Sequence, residues 1–498
     1  MIFVTKFLAD SLNMCSRLLA GLILLTSSVL FAAERPNIVF FLVDDLGVMD
    51  IGANNPNTFY ETPNVDRLAK EGVRFTNGYA ACSVCSPTRF SIMTGKYPAR
   101  GACTNWFGAN DAARFRGAEY NDRMPLNEIT LAEAFKEAGY KTIYVGKWHL
   151  GPTEEFWPKN QGFDVNIGGW SRGNPGQGGY FSPYNNPKLP DGPDGEYLTD
   201  RLAKEAVQQI REAKDSPFLL YFAFYQVHTP LLAPEPLIEK YRAKAERLHL
   251  PTGGKEILAA SGEQNANGKP IQIRKIQSHP VYAAMVESMD TAVGKVIDSL
   301  REEKLLDNTI ICFVSDNGGQ VNGPTSNLPI RAGKSWLYEG GHRVPYIIRL
   351  PHGKGSVSDV PVITNDFYPT LLDLAGLPLK PKQHLDGISL KPILEGGAAP
   401  KRDALYWHYP HYGAFPGGVI RKDDWKLIRR YEDGRTELYH LKDDPFEEND
   451  LADKEPERVK QLAEEHNQWL QSVGARFLRE KNGSEPWLPP YKNETIKK

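Results

Sequence analysis

Apolar residues in this chain follow two rhythms that alternate along its length. The first is the uninterrupted run, as in Ile38-Val39-Phe40-Phe41-Leu42-Val43, Thr142-Ile143-Tyr144-Val145, Phe218-Leu219-Leu220-Tyr221-Phe222-Ala223-Phe224 and Thr309-Ile310-Ile311-Cys312-Phe313-Val314. Runs with no polar alternation predict strands covered on both faces, the mark of a parallel sheet. The second rhythm is helical, and its ends are punctuated. Thr62-Pro63 predicts a helix start with Thr62 as cap and Gly72 as stop. Thr130-Leu131-Ala132-Glu133 predicts a capping box for a helix ending at Gly139, and Thr199 the cap of a helix reaching about Ala213. Longer amphipathic patterns cover 281–304 and 366–376. Residues 151–195, dense in Gly, Pro and Asn, predict a long excursion, and the polar stretch 250–275 a loop. Past Pro392 the texture changes: 418–421, 425–431 and 436–441 predict short antiparallel strands, Glu432-Asp433-Gly434 a hairpin turn, and 455–473 a final helix. The fold class is therefore α/β. A large, mainly parallel sheet flanked by helices occupies 34–392, and a smaller α+β subdomain with an antiparallel sheet occupies 393–498.

Residues 1–33 stand apart. Arg17 precedes Leu18-Leu19-Ala20-Gly21-Leu22-Ile23-Leu24-Leu25, and small residues follow to Ala32-Ala33. That order reads as a secretory signal peptide, so a secreted or periplasmic protein is expected, with Met14 an alternative start. Cys15 lies ahead of the apolar run without a lipobox, and no other segment reaches membrane-spanning length, so no membrane anchor is expected. A net charge of −2 argues against nucleic acid as a partner. Beyond residue 33 only Cys82, Cys85, Cys103 and Cys312 remain, too few for a disulfide scaffold. A Cys82–Cys85 bridge would close a loop too short to stabilise much and would consume a thiol.

Each of the four strands runs out into chemistry. They lead to Asp44-Asp45, to Lys147 and His149, to His228, and to Asp316-Asn317. Ligands of open α/β sheets bind beyond the carboxyl ends of the strands, so these residues are expected to converge. Asp44, Asp45, Asp316 and Asn317 are hard oxygen donors, suited to Ca²⁺ or Mg²⁺ rather than zinc. Adjacent carboxylates repel, and a cation is a reason to place them together. Arg89, Lys147, His149, His228 and Lys334 form a cationic set fit to hold an oxyanion and to protonate a leaving group. Any one of them alone would read as a solvated charge or a core histidine.

The run Ser83-Val84-Cys85-Ser86-Pro87-Thr88-Arg89-Phe90-Ser91-Ile92-Met93-Thr94-Gly95 resembles the signature of the formylglycine-dependent (type I) sulfatases. Thr88 stands where many members carry serine. The segment 139–149, ending Gly146-Lys147-Trp148-His149, resembles the second signature of that family. Pro36-Asn37-Ile38-Val39 through Asp44-Asp45-Leu46-Gly47, Ser315-Asp316-Asn317-Gly318, and Gly333-Lys334 leading to Glu339-Gly340-Gly341-His342-Arg343-Val344-Pro345 extend the likeness over about 36–450. The resemblance implies an alkaline-phosphatase-like core and oxidation of Cys85 to formylglycine by a maturation enzyme. It also implies calcium held by Asp44, Asp45, Asp316, Asn317 and residue 85. Arg89 would stabilise the hydrated aldehyde, and Lys147 and Lys334 would hold sulfate oxygens. One hydroxyl of the hydrate would attack sulfur, and His228 or Lys334 would protonate the leaving oxygen. His149 would take the proton of the other hydroxyl.

The substrate is less legible. Trp106, Trp170, Arg172, His408 and His411 are candidate contacts for a sulfated saccharide, the alternative being that they pack a domain interface. The segment around Trp407-His408-Tyr409-Pro410-His411-Tyr412 resembles bacterial carbohydrate sulfatases, with O-sulfated galactose or N-acetylgalactosamine the favoured units. A phosphonate or phosphate monoester hydrolase using the same residues, and a non-catalytic sugar-binding relative, are the rival readings.

Overall fold

The four apolar runs become four neighbouring strands of one sheet. In the computed structural model, which describes residues 35–109, 115–264, 268–483, 485–487, 489 and 491, the expected signal peptide lies outside the described residues. The sheet comprises β1 (Asn37–Val43), β2 (Val73–Phe75), β3 (Lys141–Gly146), β4 (Val165–Ile167), β5 (Phe218–Ala223), β6 (Thr309–Ser315), β7 (Tyr346–Arg349) and β8 (Ser356–Ser358). Its order is β8-β2-β7-β6-β1-β5-β3-β4. The run from β6 to β4 is parallel throughout, while β7 is antiparallel to both of its neighbours.

Successive side chains of a strand point to opposite faces, so each apolar run feeds two cores. Val39, Phe41, Leu220, Phe222, Ile311 and Phe313 pack under α1 (Pro63–Glu71), α4 (Leu198–Ala213), α5 (Glu235–Arg247) and α6 (Pro280–Glu302). Ile38, Phe40, Leu42, Leu219, Tyr221 and Ile310 face α2 (Cys85–Thr94), α3 (Leu131–Glu137) and α7 (Phe367–Leu374). The two-sided burial explains why these runs lack polar alternation.

The capping box at Thr130 forms as expected, and Gly139 follows α3 with φ +83°. Thr62 precedes α1 but makes no cap bond. The amides of Asn64 and Val65 donate instead to Asp290 of α6, at 3.0 and 2.8 Å, so the cap is tertiary. Thr199 is likewise not a cap; it lies buried inside α4, which starts one residue earlier behind Tyr197. The expected 250–275 loop contains a β-hairpin, Leu258–Gln264 with Pro270–Arg274, and the 151–195 excursion contributes edge strand β4.

Beyond residue 400 four strands, β9 (Leu405–Tyr409), β10 (Gly417–Lys422), β11 (Trp425–Arg430) and β12 (Thr436–His440), form an antiparallel meander backed by α8 (Pro456–Ser472). The described residues from Asn37 onward form one compact unit. A buried ionic cluster joins the meander to the rest: Lys426 Nζ lies 3.0 Å from Glu339 and 2.8 Å from Glu447. All four described cysteines are free thiols. No helix of the described residues is long and apolar enough to cross a membrane.

Candidate active site

The register of the sheet decides which strand-end residues meet. Val43 of β1 pairs with Ser315 of β6, so Asp44 and Asp316 follow side by side. Gly146 of β3 and Leu42 of β1 both pair with Ala223 of β5, which brings Lys147 to the same level. Gly146 turns the chain there with φ +97°, and a Cβ on it would lie 1.9 Å from the Ala223 carbonyl oxygen, so only glycine fits. Asp45 and His149 take positive φ angles of 60° and 57° without being glycine. Such conformations cost about 1–3 kcal/mol each and concentrate at functional sites.

Cys85 is the first residue of α2, a helix buried along its whole length. Its Sγ therefore sits at the electropositive end of the helix, favourable for negative charge that develops there. His149 Nδ1 lies 3.3 Å from Sγ, and Nε2 lies 3.1 Å from the Phe107 carbonyl oxygen. A carbonyl only accepts, so Nε2 carries the hydrogen and Nδ1 presents its lone pair to Cys85. Burial, reinforced by Lys147, pushes His149 well below the usual histidine range and keeps it neutral.

Next to this pair lies a compact charge lattice. Arg89 donates Nε to Asp316 at 2.9 Å and approaches it with a second nitrogen at 2.8 Å, while its third nitrogen donates to the Lys147 carbonyl at 2.7 Å. Lys147 Nζ donates to Asp44, and Lys334 Nζ donates to Asp45 at 2.7 Å. His228 Nε2 stands 3.8 Å from Asp45, and its Nδ1 donates to the Thr229 carbonyl at 2.8 Å. Burial raises Asp44 and Asp316 to about 6. Asp45 is buried too, yet the charge of Lys334, with Lys147 nearby, holds it well below the usual carboxylate range. Burial, with Lys334 adding to it, lowers His228 to about 3.

Oxygens of Asp44, Asp45 and Asp316 lie within 4.8 Å of one another. Asp44 Oδ1 and Asn317 Oδ1 are buried acceptors with no hydrogen-bond partner. Buried acceptors left open are costly unless something else satisfies them. Three carboxylates and an amide oxygen, two of these groups with an open acceptor, form a donor set that fits a hard divalent cation. The four expected ligands are thus together, and so are Cys85, Arg89, Lys147, His149, His228 and Lys334.

A cavity of about 800 Å³ opens from Cys85, His149, His228 and Lys334 to a rim that includes Trp106 and Arg172. The other three expected substrate contacts are elsewhere. Trp170 packs half-buried against the core, and its carbonyl accepts from the His149 amide at 3.2 Å. His408 is buried in β9, its ring nitrogens 2.7 Å from the Tyr431 hydroxyl and 2.8 Å from the Arg476 carbonyl. His411 is fully buried, with Nε2 2.9 Å from the Thr104 hydroxyl. These two histidines are structural, and among the described residues none beyond 392 lines the cavity. No motif pointed to the Phe107 carbonyl, a backbone atom, or to the lining residues Tyr120, Asp122 and Asn174. Gly173 was equally hidden, since a glycine that makes room for a ring looks like any other in a Gly-rich run.

This geometry has close parallels. Residues 36–377 match the sulfatase family model, and residues 332–474 match that of the C-terminal region of N-sulphoglucosamine sulphohydrolase. A sulfatase of Formosa agariphila is 32% identical, over 85% of this chain and 86% of that protein. The N-acetylgalactosamine-6-sulfatase of Canis lupus familiaris is 31% identical, over 81% of this chain and 74% of its own. The solved structure of Ps i-CgsB in complex with k-i-k-neocarrahexaose superposes with a TM-score of 0.70 at 28% identity, covering 88% of this chain and 93% of that one. The family match over residues 36–377 and these identities over most of both chains make the chain a member of the sulfatase family, a sulfuric ester hydrolase with an alkaline-phosphatase-like fold.

Proposed function

We propose that this protein removes sulfate from sulfated saccharides by calcium-dependent hydrolysis at residue 85, after oxidation of Cys85 to formylglycine. The observation that carries the reading is the pairing of Cys85 Sγ with the lone pair of a neutral His149, 3.3 Å away, beside three clustered carboxylates. Sγ stands where the oxygens of an aldehyde hydrate would be. That hydrate would supply an oxygen nucleophile and a second hydroxyl through which sulfate leaves by elimination. Calcium held by Asp44, Asp45, Asp316, Asn317 and residue 85 would offset the acidic trio and polarise a sulfate oxygen.

The chain's own residues divide the remaining work. His149 Nδ1 accepts the proton from the oxygen on residue 85. Lys147 and Lys334 hold sulfate oxygens, and Arg89, anchored on Asp316, faces residue 85. Burial would strip Lys334 of its proton, but Asp45 outweighs it and raises the lysine above its ordinary range, while His228 is neutral. Of the two candidates for protonating the leaving alkoxide, Lys334 is the charged acid, whereas neutral His228 keeps its single ring hydrogen on Nδ1, bonded to the Thr229 carbonyl. The leader-like residues 1–33 support export, and the likeness to an N-acetylgalactosamine-6-sulfatase and to a structure solved with k-i-k-neocarrahexaose supports a galactose-configured sugar.

Two measurements test this. Mass spectrometry of the peptide containing residue 85, from the native host, should show a loss of about 18 Da against the unmodified thiol. A panel of sulfated galactose and N-acetylgalactosamine units, with matched phosphate esters, should show turnover of the sulfates first. An intact thiol in active protein would overturn the formylglycine step, and faster turnover of the phosphates would overturn the substrate class.

A further inference from the structure

The cavity is far larger than the sulfate it would process. Its 800 Å³ lies in the range of sites that enclose a whole organic ligand, so most of it must face the rest of the substrate. Among the described lining residues only Lys334 and Arg172 carry a full positive charge, and only Asp122 a full negative one. Lys334 is committed to Asp45, and the Asp122 carboxylate accepts two hydrogen bonds from Arg123, at 2.6 and 3.1 Å. Arg172 has no ion pair among the described residues, and its guanidinium carbon stands 5.8 Å from the centre of the Trp170 ring.

An exposed arginine is ordinarily a solvated charge, but this one is placed by the active site itself. Two residues before it, the Trp170 carbonyl accepts from the His149 amide at 3.2 Å. One residue after it, Gly173 lies so close to the His149 ring that a Cβ there would be 2.4 Å from Cε1. The backbone of Arg172 is thus gripped on both sides by contacts to His149, and its side chain lines the same cavity as Cys85. Trp106, 41% exposed, adds an apolar plate to that rim, of the kind that stacks on sugar faces. A planar, permanently charged fork with no ion pair among the described residues matches the two-oxygen face of a sulfate or carboxylate.

We propose that Arg172 reads a second anionic group, a sulfate or a carboxylate, beyond the sulfate that is cleaved, so that the preferred substrate is a multiply anionic saccharide. This rests on the sulfatase reading of the pocket.

The test compares kcat/KM on probes that differ only in the second charge. They are 4-nitrophenyl sulfate, monosulfated galactose and N-acetylgalactosamine, their disulfated forms, and the monosulfated sugars linked to a uronic acid. Wild-type enzyme should favour a doubly anionic probe over its monosulfated parent by about tenfold, and the preference should shrink as salt rises. In Arg172→Gln the ratio of the two should collapse towards one, and in Arg172→Lys it should fall only part of the way. Preference for the disulfated sugar would assign the second group as sulfate, and preference for the uronic acid conjugate as carboxylate. Turnover by the wild type with no preference, or an equal loss on every probe in Arg172→Gln, would overturn the proposal and leave the sulfatase reading intact. No turnover of any sulfate ester would overturn that reading as well.

Discussion

Gly173→Ala should disable the enzyme without unfolding it. A Cβ at residue 173 would lie 2.4 Å from His149 Cε1, 2.7 Å from Nδ1 and 2.8 Å from Nε2, where ordinary contact begins near 3.4 Å. Relief therefore requires a movement of about 1 Å, since 3.4 less 2.4 is 1.0. The ring has little freedom to give, because Nε2 is tied to the Phe107 carbonyl at 3.1 Å and Nδ1 is in contact with Cys85 Sγ at 3.3 Å. If the loop retreats instead, it strains the His149 amide bond to Trp170 at 3.2 Å. Either way Nδ1 leaves its position 3.3 Å from residue 85. Misplacement of a reacting group by 1 Å costs about 10²-fold in rate, or about 2.7 kcal/mol of transition-state stabilisation. The assay is kcat on a saturating sulfate ester, with thermal melting as the folding control. A kcat within threefold of wild type, in a variant that melts normally, would refute the claim that His149 acts from this position.

Three further outcomes are expected. Asp316→Ala leaves Arg89, 2% exposed, without the carboxylate that holds two of its nitrogens, so urea unfolding should show a loss of about 3–5 kcal/mol; a loss below about 1 would mean the pair is not a buried charge interaction. Excess EDTA should abolish turnover and added calcium should restore it, so full activity in chelator would remove the cation from the reading. His408, lowered to about 3 by burial against an ordinary 6.5, contributes stability that is complete above pH 6.5 and drains away as pH falls towards 3. At pH 5 that loss is about 2 kcal/mol, being 1.5 pH units at 1.36 kcal/mol each. Denaturant titrations of His408→Gln should therefore show a shallower decline between pH 7 and 5 than wild type, and parallel slopes would refute it.

What could be read from the sequence was set by which interactions leave a mark on it. Strands β1, β3, β5 and β6 were legible because burial on both faces demands unbroken apolar runs, and the polar residues that end them had nowhere to go but the sheet edge. The hairpin at 258–274 left no such mark: alternate positions are exposed or half-buried and several residues are small or polar. Thr62 looked like a cap because local spacing cannot reveal that Asp290, 226 residues beyond Asn64, takes the amides of α1. His408 and His411 resembled sugar contacts for a related reason. Their partners, the Tyr431 hydroxyl, the Arg476 carbonyl and the Thr104 hydroxyl, come from other parts of the chain, so the sequence showed polar rings without showing that they were satisfied.

The parallel pairing of β1 with β6 also puts the site on a clock. Asp45 receives its bond from Asn317, a residue 272 positions later in the chain, and Ser91 of α2 meets Thr364 across 273 positions. At roughly 5–20 residues per second, a ribosome needs on the order of tens of seconds to make that interval. Throughout it the acidic pair at 44–45 exists without Asp316 or Asn317, and the helix that begins at Cys85 lacks part of the cover that later buries it. The same topology that nearly buries residue 85 in the finished protein leaves it less covered during synthesis, an interval in which the oxidation proposed above has easier access.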